Sequence, residues 1–312
     1  SSGSRRPGAV GVAMASGRRR VPYGCCLQGL ILAWLGFRGW MPLASSAPAV
    51  LEPVQVEAEA EQPEAAPQVA SEAAPHVAGE VELPEPVVDP ERPLLRVGPS
   101  VLAADLANLE RETRRVLRAG ADFIHMDVFD GHRIRGAFSF GPMVVKALRQ
   151  RVPRAFLDVH LCVTEPRRYV AELAEAGANR VIIQIEDVDD PVELAQHAHR
   201  CGMQVGLALA PGTAVTNRTL ELARYFDLVL VMTVSPGFGG QNFMPEVLTK
   251  VVALRKAFPG KALGVDGGVN QQTVSAAASA GASEVIAGSA IFEARDPRRE
   301  IKRFREALRR SN

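Results

Sequence analysis

Phe123-Ile124-His125-Met126-Asp127-Val128, then Pro142 to Arg151, then Ala155-Phe156-Leu157-Asp158-Val159-His160-Leu161-Cys162 is the stretch that decides the fold. A short β-branched run, an amphipathic run opened by proline and a second short apolar run spell strand, helix, strand. Proline suits a helix start, where its missing N–H costs nothing. Strands joined through a helix run parallel and need both faces of their sheet covered.

The same unit recurs on either side. Upstream, Leu95 to Val101 reads as a strand, and Asp105, a good N-cap, opens a helix to Arg118. Downstream the helix Pro166–Ala176 is followed by five strand–helix pairs. These are Arg180–Ile185 with Pro191–Arg200, Gln204–Leu209 with Thr219–Tyr225, Leu228–Val234 with Pro245–Phe258, Ala262–Val265 with Gln271–Ala280, and Glu284–Ala287 with Pro297–Arg309. Ala-Gly at 119–120, 176–177 and 280–281 and Cys-Gly at 201–202 supply helix stops. Eight units within residues 94–312 predict an α/β fold, a closed (β/α)8 TIM barrel. An open doubly wound sheet normally carries a Gly-rich loop after its first strand, and Gly98-Pro99-Ser100 is not one.

The first ninety residues read differently. Ser1 to Leu51 carries six basic and no acidic residues, whereas Glu52 to Glu91 carries eleven acidic and no basic ones. Arg18-Arg19-Arg20, the apolar run Leu27–Phe37 and the small residues Ala44–Ala47 have the order of a signal peptide, with Met14 a natural initiator. The apolar run is shorter than the roughly 20 residues a bilayer span needs, so no stable membrane span is expected in the mature protein. Residues 48–93, rich in Pro, Ala, Glu and Val, bury too little apolar surface to offset their ordering entropy and read as a disordered linker. The chain thus divides into a targeting segment (1–47), an acidic linker (48–93) and a catalytic barrel (94–312). An organelle address is expected, with a plastid reached through the secretory route among the destinations and secretion or cytoplasm left open.

A net charge of +1 argues against nucleic acid or an anionic membrane as partner. Four cysteines, with Cys25 and Cys26 adjacent and Cys162 and Cys201 far apart, form neither a disulfide framework nor a zinc knuckle.

Barrel enzymes place their chemistry where the strands end. His125 and Asp127 are two apart on one strand and share a face; His160 lies on the next strand, and Asp266 ends the seventh. If all four point inward, two imidazoles and two carboxylates suit Zn2+, Fe2+ or Mn2+. Taken singly, each has an ordinary reading as a hydrogen-bonded or loop-capping side chain. Gly237-Phe238-Gly239-Gly240, Gly267-Gly268 and Gly288-Ser289 follow strands six, seven and eight. Glycines let backbone N–H groups approach an anion, and three consecutive loops of this kind point to phosphate.

With these residues, Val97-Gly98-Pro99-Ser100-Val101-Leu102, His125 to His132, Leu157-Asp158-Val159-His160, Pro236 to Gln241, Val265-Asp266-Gly267-Gly268-Val269 and Ala287-Gly288-Ser289-Ala290-Ile291, the chain resembles the ribulose-phosphate 3-epimerase family over essentially all of 94–310. The resemblance implies reversible conversion of D-ribulose 5-phosphate to D-xylulose 5-phosphate, a reaction of the pentose phosphate pathway and the Calvin cycle. It implies one divalent metal (Zn2+, Fe2+, Mn2+ or Co2+) on His125, Asp127, His160 and Asp266, with Asp127 the base on one face of C3 and Asp266 the acid on the other. Ser100 and His160 would touch the sugar; Gly237, Phe238, Gly239, Gly240, Gly267, Gly268, Gly288 and Ser289 would hold the phosphate end. The implied partners are a small sugar phosphate and further copies of the chain.

The sequence departs from the family at Phe129 and Cys162, where methionine is usual, at Gln184, where His is frequent, and in the loop 133–141. Those changes leave open a 3-epimerase of another ketose phosphate, such as allulose 6-phosphate, or a barrel that binds a sugar phosphate without turning it over. Decarboxylases of related barrels carry Asp-x-Lys-x-x-Asp; Asp158 to Val163 has neither the Lys nor the second Asp.

Overall fold

The computed structural model describes residues 93–311, except 236, 238 and 239. The expected signal segment and nearly all of the linker lie outside the described residues.

Eight parallel strands form the sheet: β1 (Arg96–Pro99), β2 (Ile124–Phe129), β3 (Leu157–Cys162), β4 (Arg180–Gln184), β5 (Gln204–Leu209), β6 (Leu228–Met232), β7 (Ala262–Asp266) and β8 (Glu284–Ala287). Each pairs with its neighbour in sequence from β2 to β8, and β8 returns to β1. Between β1 and β2 the ladder is reduced to one parallel bridge, Ser100 to His125. The Phe123 ring fills the space beside Gly98, where a Cβ would sit 2.0 Å from Cε2. Asp122 supplies the missing acceptor, its Oδ2 taking the Val97 N–H at 2.7 Å.

The helices are α1 (Leu109–Arg118), α2 (Pro142–Arg151), α3 (Arg167–Glu175), α4 (Pro191–Arg200), α5 (Asn217–Ala223), α6 (Leu248–Ala257), α7 (Val274–Ser279), a short α8 (Ser289–Phe292) and α9 (Pro297–Ser311). Asp105 caps a separate 3-10 turn, Leu106–Asn108, ahead of α1, its carboxylate accepting from Ala107 N–H. Pro245 likewise opens a 3-10 turn before α6. No described helix is long and apolar enough to cross a membrane. Gly120, Gly177, Gly202 and Gly281 end their helices at φ between 81° and 104°, the left-handed stop that only glycine adopts without strain.

Strand alternation sorts the side chains into two sets. Ile124, Met126 and Val128 of β2 and Leu157, Val159 and Leu161 of β3 face outward into the core shared with the helices. Inside the barrel, Phe123, Ile182, Ala208, Leu228, Leu230, Met232 and Ile286 pack together. His125 and Asp127, two residues apart on β2, and Asp158 and His160 on β3 join that inner set, which carries them to the mouth.

Candidate active site

The interior is charged along its axis. Arg180 is buried between β3 and β8, its Nε 2.6 Å from Asp158 Oδ1 and its Nη2 2.8 Å from Glu284 Oε2. Arg96 reaches the same Glu284 at 3.3 Å. Both guanidinium carbons lie over the rings of Phe123 and Phe156, at 4.3–5.5 Å from the centroids. Asp158 turns its other oxygen to His125 Nδ1, at 2.8 Å. Burial opposes its charge, yet Arg180 and His125 hold its carboxyl well below the usual range.

Above this stack the four expected residues meet. Ligating atoms of His125, Asp127, His160 and Asp266 all lie within 4.8 Å of one another. His125 Nε2 is 3.2 Å from Asp127 Oδ1 and 3.7 Å from Asp266 Oδ2, and His160 Nδ1 is 3.3 Å from Asp127 Oδ1. Donors bound to one cation at about 2.0–2.2 Å sit roughly 3.3 Å apart in a tetrahedral arrangement, so these separations fit a shared ion. Charge gives the same answer. Four interior carboxylates (Asp127, Asp158, Asp266, Glu284) face two guanidiniums (Arg96, Arg180), leaving two negative charges for a divalent cation when the imidazoles are neutral.

Without a cation the cluster holds protons instead. Burial works against a charged His125, but Asp127 and Asp158 outweigh it and push its pKa up to about 10. Asp266 rises to about 6, chiefly through burial and partly through Asp127, with His125 opposing. Asp127 goes the other way: burial resists ionisation, but His125 and His160 drive its carboxyl far below the ordinary range. Its second oxygen accepts the Ser100 hydroxyl at 2.7 Å.

A cavity of about 520 Å³ opens over the cluster. Ser100, Asp127, His160 and Asp266 line it together with Gly237, Gly240, Gly267, Gly268, Gly288 and Ser289. Phe238 and Gly239 lie outside the described residues. Gly268 has φ +66°, and a Cβ there would stand 2.7 Å from the Phe243 backbone nitrogen, so the close turn requires glycine. Leu102, Phe129 and Cys162 add apolar lining and pack with Ala137 and Ile134, the last of which also reaches Gly237. The four polar residues are legible from their strand-end positions, but the Arg180–Glu284 pair is not. Each of those two occupies the first position of its strand, where an inward charge leaves no pattern distinct from a loop residue.

Such a barrel, with two acids and two imidazoles at its mouth beside glycine-lined turns, defines an acid–base enzyme with a candidate cation site. The family model described as the ribulose-phosphate 3 epimerase family matches residues 96–292. Ribulose-phosphate 3-epimerase of Schizosaccharomyces pombe is 45% identical over 215 residues, covering 68% of this chain and 93% of that protein. The cytoplasmic isoform of Oryza sativa is 45% identical over 216 residues, 68% of this chain and 94% of its own. The 3-hexulose-6-phosphate synthase structure from Salmonella typhimurium shares the fold at a TM-score of 0.52 and 22% identity, over 70% of this chain and all of its own. The chain belongs to the ribulose-phosphate 3-epimerase family and is an epimerase.

Proposed function

We propose that the chain interconverts D-ribulose 5-phosphate and D-xylulose 5-phosphate by moving a proton at C3. The observation that carries this is the convergence of Asp127 and Asp266. They stand on β2 and β7, three strands apart round the barrel through β1 and β8, yet both approach His125 Nε2, at 3.2 and 3.7 Å. Inversion needs a base on one face of the carbon and an acid on the other, and one residue cannot serve both.

A divalent ion held by His125, Asp127, His160 and Asp266 would supply Lewis-acid stabilisation of the charge that develops when the proton leaves, worth several kcal/mol. Asp127, favoured as a carboxylate, takes the C3 proton. Asp266, the more readily protonated acid, delivers one to the opposite face of the planar ene-diolate, and the roles exchange in the reverse direction. Ser100 fixes Asp127 by its hydrogen bond to Oδ2. Backbone N–H groups at Gly237, Gly240, Gly267, Gly268, Gly288 and Ser289 hold the phosphate and so orient C3 between the acids. Residues 94–312 form the catalytic unit, residues 1–47 an organelle address and residues 48–93 its tether.

The full chain, loaded with Zn2+, Mn2+, Fe2+ or Co2+ in turn, is incubated with ribulose 5-phosphate in D2O. Xylulose 5-phosphate carrying deuterium at C3 is expected. A chain that turns over allulose 6-phosphate in preference would replace the substrate; one that binds either sugar phosphate and exchanges nothing would remove the catalytic reading. A tagged full chain located outside any organelle would remove the address.

A further inference from the structure

His160 presents its two ring nitrogens to different neighbours. Nδ1 lies among the candidate ligand atoms, 3.3 Å from Asp127 Oδ1. Nε2 points away from them, 3.0 Å from the side-chain amide of Gln184 and 3.6 Å from the Cys162 sulfur. Gln184 is buried, and its other amide atom has no hydrogen-bond partner. The amide nitrogen is the end nearer the imidazole and also lies 4.0 Å from the Cys162 sulfur, too weak an acceptor to fix which end of the amide faces the ring. A neutral imidazole has one donor and one acceptor nitrogen. If Nδ1 gives its lone pair to a cation, Nε2 must carry the hydrogen, and the atom 3.0 Å away must accept it. The amide oxygen can do so; the thiol sulfur is a weak acceptor at a longer distance. O and N of an amide are assigned from such partners.

We infer that Gln184 is a positioning residue for the cation site: its amide oxygen accepts His160 Nε2–H and so turns the Nδ1 lone pair toward the ion. The inference rests on the metal reading of the site. It complements the opposite arrangement at His125, where Asp158 takes the Nδ1 side and leaves Nε2 for the ion. The two imidazoles thus enter the site through different nitrogens, each set by a partner behind it, and groups behind a ligating histidine typically change metal affinity by about 10–100-fold.

The test uses the full chain, stripped of metal and titrated with Zn2+ against a chromophoric chelator. Gln184→Leu, close in volume but without an acceptor, is expected to raise the Zn2+ dissociation constant about 10–100-fold. Gln184→Glu, which keeps an oxygen acceptor, is expected to bind at least as tightly as the parent. Nitrogen-15 NMR of the Zn2+-loaded parent provides a readout independent of any variant: His160 should carry its hydrogen on Nε2 and His125 on Nδ1. An unchanged constant in Gln184→Leu, equal losses in the Leu and Glu variants, or a His160 hydrogen on Nδ1 in the loaded parent would overturn the role of Gln184. A parent chain that takes up no Zn2+ would instead defeat the metal reading itself.

Discussion

His125 and Asp158 face each other across the β2–β3 ladder and share a 2.8 Å hydrogen bond between Nδ1 and Oδ2, both side chains fully buried. The same carboxylate receives the Arg180 Nε–H on its other oxygen. An asparagine in its place can accept from only one of these donors, because its amide nitrogen would face the other. Asp158→Asn is therefore expected to weaken Zn2+ binding by about 10–100-fold, read by chelator competition. Parent-like affinity would show that His125 is oriented without Asp158.

Arg180 holds two buried acids at once. Removing it leaves Asp158 and Glu284 facing each other without the charge between them, although Arg96 still reaches Glu284. Stranding a buried charge costs about 3–5 kcal/mol. Arg180→Met should lower stability by that order in urea unfolding. The double change with Asp158→Asn should lose less, because the carboxylate that loses its guanidinium goes with it. A double variant worse than the single one would mean that His125 alone keeps the Asp158 charge satisfied.

Gly98 lies at the thin seam where the barrel closes. An alanine Cβ would come within 2.0–2.6 Å of three carbons of the Phe123 ring, which is itself wedged under Arg96 and Arg180. Overpacking of this kind typically costs about 1–3 kcal/mol, so Gly98→Ala should lower the unfolding free energy by that amount, read as a lower urea midpoint. Phe123→Leu in the same chain should restore part of the loss. No rescue would place the strain elsewhere in β1.

The barrel was legible because its signal repeats. Pro142–Arg151, Pro191–Arg200, Gln204–Leu209 and Glu284–Ala287 form with the boundaries that proline starts, glycine stops and β-branched runs give them. Asp105 differs only locally: three residues, Leu106 to Asn108, separate it from Leu109, and it caps the 3-10 turn they form rather than the helix. The four clustered residues were legible from strand-end position and two-residue spacing. The Arg180–Glu284–Arg96 system was not, since it joins three strands far apart in sequence and depends on register. Nor was the short helix α8, four residues long and too brief to show a period.

Asp130 ties the loop after β2 to the loop after β3. Its Oδ1 accepts from the backbone N–H of His132 and Arg133, and its Oδ2 from the N–H and hydroxyl of Thr164, all at 2.8 Å. That loop carries Ile134, whose side chain fills the place a Cβ on Gly237 would take, at 2.9 Å. Asp130→Ala frees the loop and with it the packing against the glycine turn. A fall of about tenfold in kcat/KM, some 1.4 kcal/mol, is expected, carried mainly by KM. An effect confined to kcat would move the role of the loop from binding to the proton-transfer step.

Proton release on adding Zn2+ tests whether the cluster exchanges hydrogen for a cation. With no cation His125 titrates near pH 10, because Asp127 and Asp158 outweigh the burial that opposes its charge. At pH 8 it is therefore protonated on both nitrogens, and an ion can take Nε2 only by displacing that proton. Asp266, near 6, is already ionised at pH 8 and contributes little there. Adding Zn2+ to the metal-free chain in weak buffer at pH 8 should release about one proton or more per ion. Binding should weaken about tenfold for each proton released as pH falls by one unit, and more steeply below about pH 6, where Asp266 also gains a proton. The sign follows from the direction of both shifts: a raised pKa favours the protonated, metal-free form on the acid side. Zn2+ uptake with no proton release at pH 8 would mean that His125 is already neutral before the ion arrives, and that the paired carboxylates beside it do not hold its charge.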